Sequence, residues 1–202
     1  MDPRIDNVIE FWFGTEPVPT QATARRWFVR DAAFDDQIRR KFGDLHDEAA
    51  AGGLEDWTGT ARGELALLIV IDQFSRNLYR DQARAFALDA RALGVASDML
   101  LSDRARELTP HQRMVALLPY QHTEDRTVQA EGVAAYASLL EDARRGGADE
   151  ETIKRMTTGL DFAKQHAAII ERFGRFPHRN VALGRSSTPE EQAFLTQPGS
   201  RF

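Results

Sequence analysis

Residues 65–71 read Leu-Ala-Leu-Leu-Ile-Val-Ile, a run with no polar side. A segment that is apolar all round must be covered on every face, so it belongs at the centre of a domain with other elements wrapped about it. It is far short of the ~20 residues needed to span a membrane. Its β-branched end, Ile69-Val70-Ile71, also permits a central strand, which periodicity alone does not separate from a buried helix. Neither flank carries the alternation of a strand partner, and Thr60 offers an N-cap ahead of the run. The segment is therefore read as the third of about eight helices.

The rest of the chain is punctuated for helices. Asp2-Pro3 has the form of a helix start, Ile5, Val8, Ile9 and Trp12 follow on one face, and Gly14 closes it. Pro17 and Pro19 keep the next stretch extended, and Trp27 and Phe28 lead into a second helix from about Ala32 to Ala51. Its apolar positions are Phe34, Ile38, Phe42, Leu45 and Ala49, with Gly52-Gly53 as the stop. A fourth helix is expected from about Asp81 to Leu101. Thr109-Pro-His-Gln112 is a capping box for a short helix that stops near Pro119. Thr123 caps a helix from about Glu124 to Arg145, and Asp149 caps one that runs to Phe173, where Gly174 ends it. Thr188-Pro-Glu-Glu191 is a second capping box, opening a last short helix, with the tail from about Pro198 expected to fray. The fold class is all-α, with antiparallel helical hairpins in a single domain over residues 1–202.

The chain carries 26 Lys and Arg against 31 Asp and Glu, a net charge of −5, which argues against nucleic-acid binding. It has no cysteine, so disulfides, thiolate catalysis, iron–sulfur ligation and cysteine-based zinc sites are excluded. The amino terminus lacks a basic stretch followed by an apolar core, so no signal peptide and a cytoplasmic location are expected, with no membrane partner. There is no phosphate-binding glycine loop and no His-Glu-x-x-His. His122-Thr-Glu124 has the His-x-Glu spacing of zinc deaminases but lacks their cysteines. No metal ligand set is identified and no cofactor is assigned.

Three polar clusters remain. The first is the loop 172–185, with Arg172, Arg175, His178, Arg179, Asn180 and Arg185 and no acid between Glu171 and Glu190. Arginine forks suit carboxylate or phosphate, so the loop either receives an anionic ligand or pairs with the protein's own surplus of acids and pins the last helix. The second is Tyr120-Gln-His122-Thr-Glu124, where an imidazole and a carboxylate at a helix start either share a proton or a metal, or simply cap the helix. The third is Asp72, Gln73, Arg76 and Asn77 at the end of the buried helix, with Asp72 and Arg76 at i,i+4 spacing; it is a site wall or the helix's way out of the core. His166 reads as a satisfied core histidine, His46 and His111 as surface residues, and Trp12, Trp27 and Trp57 as core.

Glu10-Phe-Trp-Phe-Gly14, Ile71-Asp-Gln-Phe-Ser-Arg-Asn77, Leu118-Pro-Tyr-Gln-His-Thr-Glu124, Phe173-Gly-Arg-Phe-Pro-His-Arg-Asn180 and Leu183-Gly-Arg-Ser-Ser-Thr-Pro-Glu-Glu191 together resemble the bacterial domain-of-unknown-function 924 family. The resemblance runs from about Ile5 to Leu195; Ser75 stands where the family usually has proline. It implies an all-α fold of the tetratricopeptide-like superfamily and brings no activity or catalytic residues with it.

The leading expectation is a polar pocket built from the three clusters, binding a small anionic ligand. Arg175, Arg179, Arg185, Asn180, Asp72, Gln73, Arg76 and Asn77 would bind, with His122, Glu124 and His178 available for acid/base or hydrolytic chemistry. The rival is a helical-repeat module whose concave surface receives a peptide or protein without catalysis. A third reading is a homodimer in which the clusters are structural salt-bridge networks.

Overall fold

A computed structural model describes residues 2–200. Among the described residues it contains eleven α-helical segments and no strand. They are α1 (Pro3–Phe13), α2 (Gln21–Phe28), α3 (Ala32–Ala50), α4 (Ala61–Leu68), α5 (Ser75–Leu78), α6 (Asp89–Leu101), α7 (Pro110–Ala116), α8 (Leu118–His122), α9 (Arg126–Arg145), α10 (Glu150–Phe173) and α11 (Pro189–Leu195). No helix among them is long and apolar enough to cross a membrane.

The apolar run is helical and central, as its all-round apolarity requires. Thr60 caps α4 by accepting the Gly63 amide, and Leu65 through Ile71 are all fully buried. Each of the run's Leu, Ile and Val side chains contributes ~1.5–3 kcal/mol relative to leaving it in water. The helix α1 packs on α4, α3 packs along the next turn and α5, and α6 and α7 close further sides. Phe11, Trp12, Phe34, Phe42 and Phe74 interlock between α1, α3 and the central helix, with ring centroids 5.0–6.2 Å apart. The long pair α9 and α10, joined through Gly146-Gly147, forms an antiparallel hairpin beside this core.

Between α4 and α5 the helix widens into a π-helical segment, Ile69–Phe74. Such a turn adds a residue per bond and re-aims the side chains that follow it, and π segments are frequent at functional sites. Here Asp72 reaches toward α8 while Ser75 and Asn77 reach toward α3. The Ser75 hydroxyl donates back to the Ile71 carbonyl at 2.6 Å, so His46 Nε2, 2.8 Å away, is the donor to Ser75 Oγ.

Several local expectations are corrected. His46 and His111 are buried, at 1% and 2% exposure, rather than at the surface. Ser75 gives His46 an internal partner, and His111 is enclosed near Asp149, Glu151 and Arg155 at the start of α10. The stretch after Pro19 forms α2, capped by Thr20. The fourth helix begins only at Asp89, after a 3-10 turn over Ala83–Phe86. Pro119 lies in the first turn of α8, where its missing N–H costs nothing, rather than marking a stop. Asp125, accepting the Thr127 and Val128 amides, caps α9 in place of Thr123. Both capping boxes, at Thr109 and Thr188, are present. In the tail, Ser200 is buried and donates to the Leu195 carbonyl; residues 201–202 lie outside those described.

Two glycines in helices should respond oppositely to alanine. A Cβ on Gly63 would lie 2.1 Å from the Trp57 carbonyl oxygen, whereas one on Gly43 meets nothing within 4 Å. Helix propensity favours alanine by ~1 kcal/mol at both, and overpacking costs ~1–3 kcal/mol at the first alone. Urea unfolding should therefore show Gly43→Ala stabilised by roughly 0.5–1 kcal/mol and Gly63→Ala destabilised by roughly 1–2 kcal/mol, with unchanged slopes.

Candidate functional site

The central helix delivers Asp72 to the end of the core, where a carboxylate at 1% exposure must be fully supplied with donors. It is: Gln73 Nε2 lies 2.5 Å from Oδ2, His122 Nδ1 2.8 Å from Oδ1, and Arg76 Nη1 3.0 Å from Oδ1. Burial pushes this carboxyl upward, but Arg76 and His122 hold it below the usual carboxylate range. An ionised carboxylate only accepts, so His122 carries its hydrogen on Nδ1 and presents the lone pair on Nε2. Nε2 has no hydrogen-bond partner among the described residues, and the side chain keeps 13% of its surface exposed. Burial and the Arg76 charge lower the His122 pKa against the pull of Asp72. The imidazole is thus neutral at pH 7, oriented by a carboxylate behind it, and open at the nitrogen that takes up a proton.

Around this pair the other elements bring charge and aromatic rings. Arg76 Nη2 and Arg179 Nη1 hold opposite oxygens of Asp89, at 3.0 and 3.1 Å, so the first residue of α6 bridges the central helix and the 3-10 turn Pro177–Arg179. Arg179 is 7% exposed, with its Cζ 4.5 Å from the Phe86 ring and 4.6 Å from Phe176. Burial and the nearby Arg76 lower its pKa to about 10, well short of neutralising it at pH 7. His166 lies on α10 with its ring 6.4 Å from that of His122 and 5.6 Å from Phe176, and Phe176 is 5.5 Å from His178. His122 and His178 therefore flank the same His166–Phe176 pair. Among the described residues no three His, Asp or Glu side chains form a metal-binding group.

Two hollows lie elsewhere. One, of about 80 Å³, is mainly apolar and lined by residues such as Met99, Leu117 and Ala135. The other, of about 240 Å³, opens at the end of α1 among Ile9, Phe13, Pro17 and Thr109. Neither includes a residue of the polar cluster.

The sequence matches, over residues 8–199, the family described as bacterial protein of unknown function (DUF924). The chain belongs to this family. It is also similar to a solved structure of a protein of unknown function from Agrobacterium tumefaciens, at 32% identity and a TM-score of 0.74, with 96% of this chain and 97% of that chain covered. No curated protein matches it. The family thus comes with its helical fold and no chemistry attached.

The structure divides the sequence-derived candidates. Asp72, Gln73, Arg76, His122, His178 and Arg179 converge on one region. Asn77 turns to α3, donating to Asp35 at 2.7 Å. Arg175, Asn180 and Arg185 form a brace behind the site. Arg175 pairs with Glu191 at 2.7 Å, Asn180 donates to Glu191 at 3.2 Å, and Arg185 spans both oxygens of Glu124 at 2.6 and 2.9 Å. Glu124 also accepts the Phe176 amide at 2.8 Å, which fixes the loop directly before His178 and Arg179. Its pKa falls below the ordinary value because Arg185 and that amide outweigh burial, while Arg175 draws Glu191 down to about 2. Arg172 pairs with Glu190 at 2.9 Å, so each of the four loop arginines meets an acid. Sequence reasoning missed Asp89 and Phe86, which follow an ordinary-looking helix start; His166 is buried and bonded to the Phe162 carbonyl, as its reading as a satisfied core histidine expects.

His166 gives the protein a measurable pH signature. Burial holds its pKa down at about 3 despite the Phe162 carbonyl that accepts from Nδ1, with His122 and Arg179 adding to the depression. Between about 3 and the ordinary value near 6.5 the unfolded chain binds a proton there that the native state does not, so stability rises with pH across that window. His46, His111 and His122 shift in the same direction. The urea midpoint should accordingly fall as pH is lowered from 7 to 5, and His166→Leu should flatten that slope; a midpoint independent of pH over this range would contradict the assignment.

Proposed function

We propose that the protein binds a small anionic molecule at Arg76 and Arg179 and performs acid–base chemistry on it, with His122 as the proton acceptor. The observation that carries this reading is the Asp72–His122 bond. A buried carboxylate on Nδ1 sets the tautomer, stabilises the imidazolium formed when Nε2 takes a proton, and leaves Nε2 without a partner among the described residues. Two guanidinium groups adjoin it, one of them buried, where a charged fork attracts an anion more strongly than in water. Glu124 has both oxygens committed to Arg185 and the Phe176 amide, so in this reading it positions the loop, and His178 stands at the edge as a second titratable group.

A peptide-binding module would rely on the basic loop meeting an acidic partner. Its arginines instead pair with Glu190, Glu191, Asp89 and Glu124, which counts against that reading.

The test is a thermal-shift panel of inorganic phosphate, pyrophosphate, acetate, malonate and citrate. A ligand at 100 times its dissociation constant adds ~2.7 kcal/mol. For a domain of this size that raises Tm by roughly 5–10 °C. Arg179→Gln should abolish the shift. His122→Asn should keep it while removing turnover of any substrate found, and turnover by the unaltered protein should be flat through pH 7 and decline on the acid side as His122 protonates. A panel without an Arg179-dependent shift sinks the proposal.

A further inference from the structure

The Arg76–Arg179 pair already holds a carboxylate, that of Asp89, with its two oxygens divided between the two guanidinium groups. Arg179 is otherwise poorly supplied. Its bond to Asp89 is the one hydrogen bond of its side chain among the described residues, and its Nε is buried with no partner. A buried guanidinium with five donors and a single acceptor is an exception among native structures, where buried polar groups are paired. Phe86 and Phe176 cover it but offer no acceptor of comparable strength. Asp89 itself reaches the surface. It is the first residue of α6, its side chain is 18% exposed, and the residue before it is not helical.

Resting on the anion-binding reading above, we infer that Asp89 is an internal stand-in for the ligand: the ligand presents a single carboxylate that displaces Asp89 from Arg76 and Arg179. Charge selects this class. With His122 and His166 neutral, Asp72, Arg76 and Arg179 sum to +1 once Asp89 swings into water, and one monovalent anion restores neutrality. A phosphate monoester carries about −1.5 to −2 at pH 7 and would leave uncompensated negative charge beside buried Asp72. Shape selects it as well, because two coplanar oxygens reproduce the way Asp89 is shared between the two forks. In this arrangement the ligand gains an acceptor position near the unpartnered Nε that Asp89 does not fill.

The experiment is an NMR titration of the full-length protein with acetate, lactate, inorganic phosphate and methyl phosphate. It follows the arginine Nε–H signal that is missing from Arg179→Gln. Asp89→Asn removes the competing charge at constant size, and it should bind acetate and lactate roughly tenfold more tightly than the unaltered protein, with a smaller gain for the phosphates. If Asp89→Asn does not fold, Asp89→Ser also removes the charge and serves the same comparison. Arg179-dependent binding that is unchanged or weakened in the folded Asp89 variant overturns the displacement while leaving the anion site in place. So does a phosphate preference in both proteins. Absence of Arg179-dependent binding in both proteins overturns the anion site as well. Binding that appears only in the Asp89 variant supports the inference, since Asp89 then outcompetes the probe in the unaltered protein.

Discussion

The buried Asp72 carboxylate is the point on which this structure turns. It emerges from a helix whose preceding seven residues are fully apolar, and an unpaired charge there would cost several kcal/mol. The protein answers with donors from three places: the neighbouring Gln73, Arg76 one turn on, and His122 from a helix fifty residues away. Each answer has a consequence. Arg76 becomes anchored at one end and extends its fork to Asp89, and His122 acquires a fixed tautomer. The end of the core and the chemistry of the site are the same set of bonds.

A second layer keeps that arrangement in register. The loop after α10 contributes Phe176, His178 and Arg179 within four residues, and a loop of that kind is normally mobile. Here Glu124 binds its backbone and is itself gripped by Arg185, and Glu191 joins Arg175, Asn180 and the α11 capping box. Pairs of this kind add specificity of position more dependably than net stability, because desolvation offsets much of their attraction. Losing one member would leave a buried charge uncompensated and release the loop. The four arginines of the loop are thus all paired with the protein's own acids, Arg179 through one nitrogen only.

Much of the fold was legible because its determinants are local. Caps at Asp2, Thr60, Thr109, Asp149 and Thr188 and the stops at Gly14 and Gly174 are set by backbone geometry within a few residues. Where two local signals competed, the reading slipped. The prolines at 17 and 19 hid α2, Pro119 was taken as a stop though it sits in a first turn, and Asp125 prevailed over Thr123 as a cap. The histidines were harder still. His46 and His111 look like surface residues in sequence because what buries them, Ser75 in one case and the start of α10 in the other, is distant along the chain.

By itself, the sequence determined that the chain would be all-helical, that residues 65–71 would lie at the centre, and that charge would gather in three places. Those are consequences of composition, period and capping, each complete within a short window. Tertiary structure decided which arginine of the loop stays underused, because pairing depends on where Glu124, Glu191 and Asp89 arrive in space. It decided that Asp72 and His122 would meet, and with that which imidazole nitrogen carries the proton. Asp89 shows the difference most plainly: in sequence it is one more acid within an expected helix, and in the fold it begins that helix and occupies the seat between two arginines.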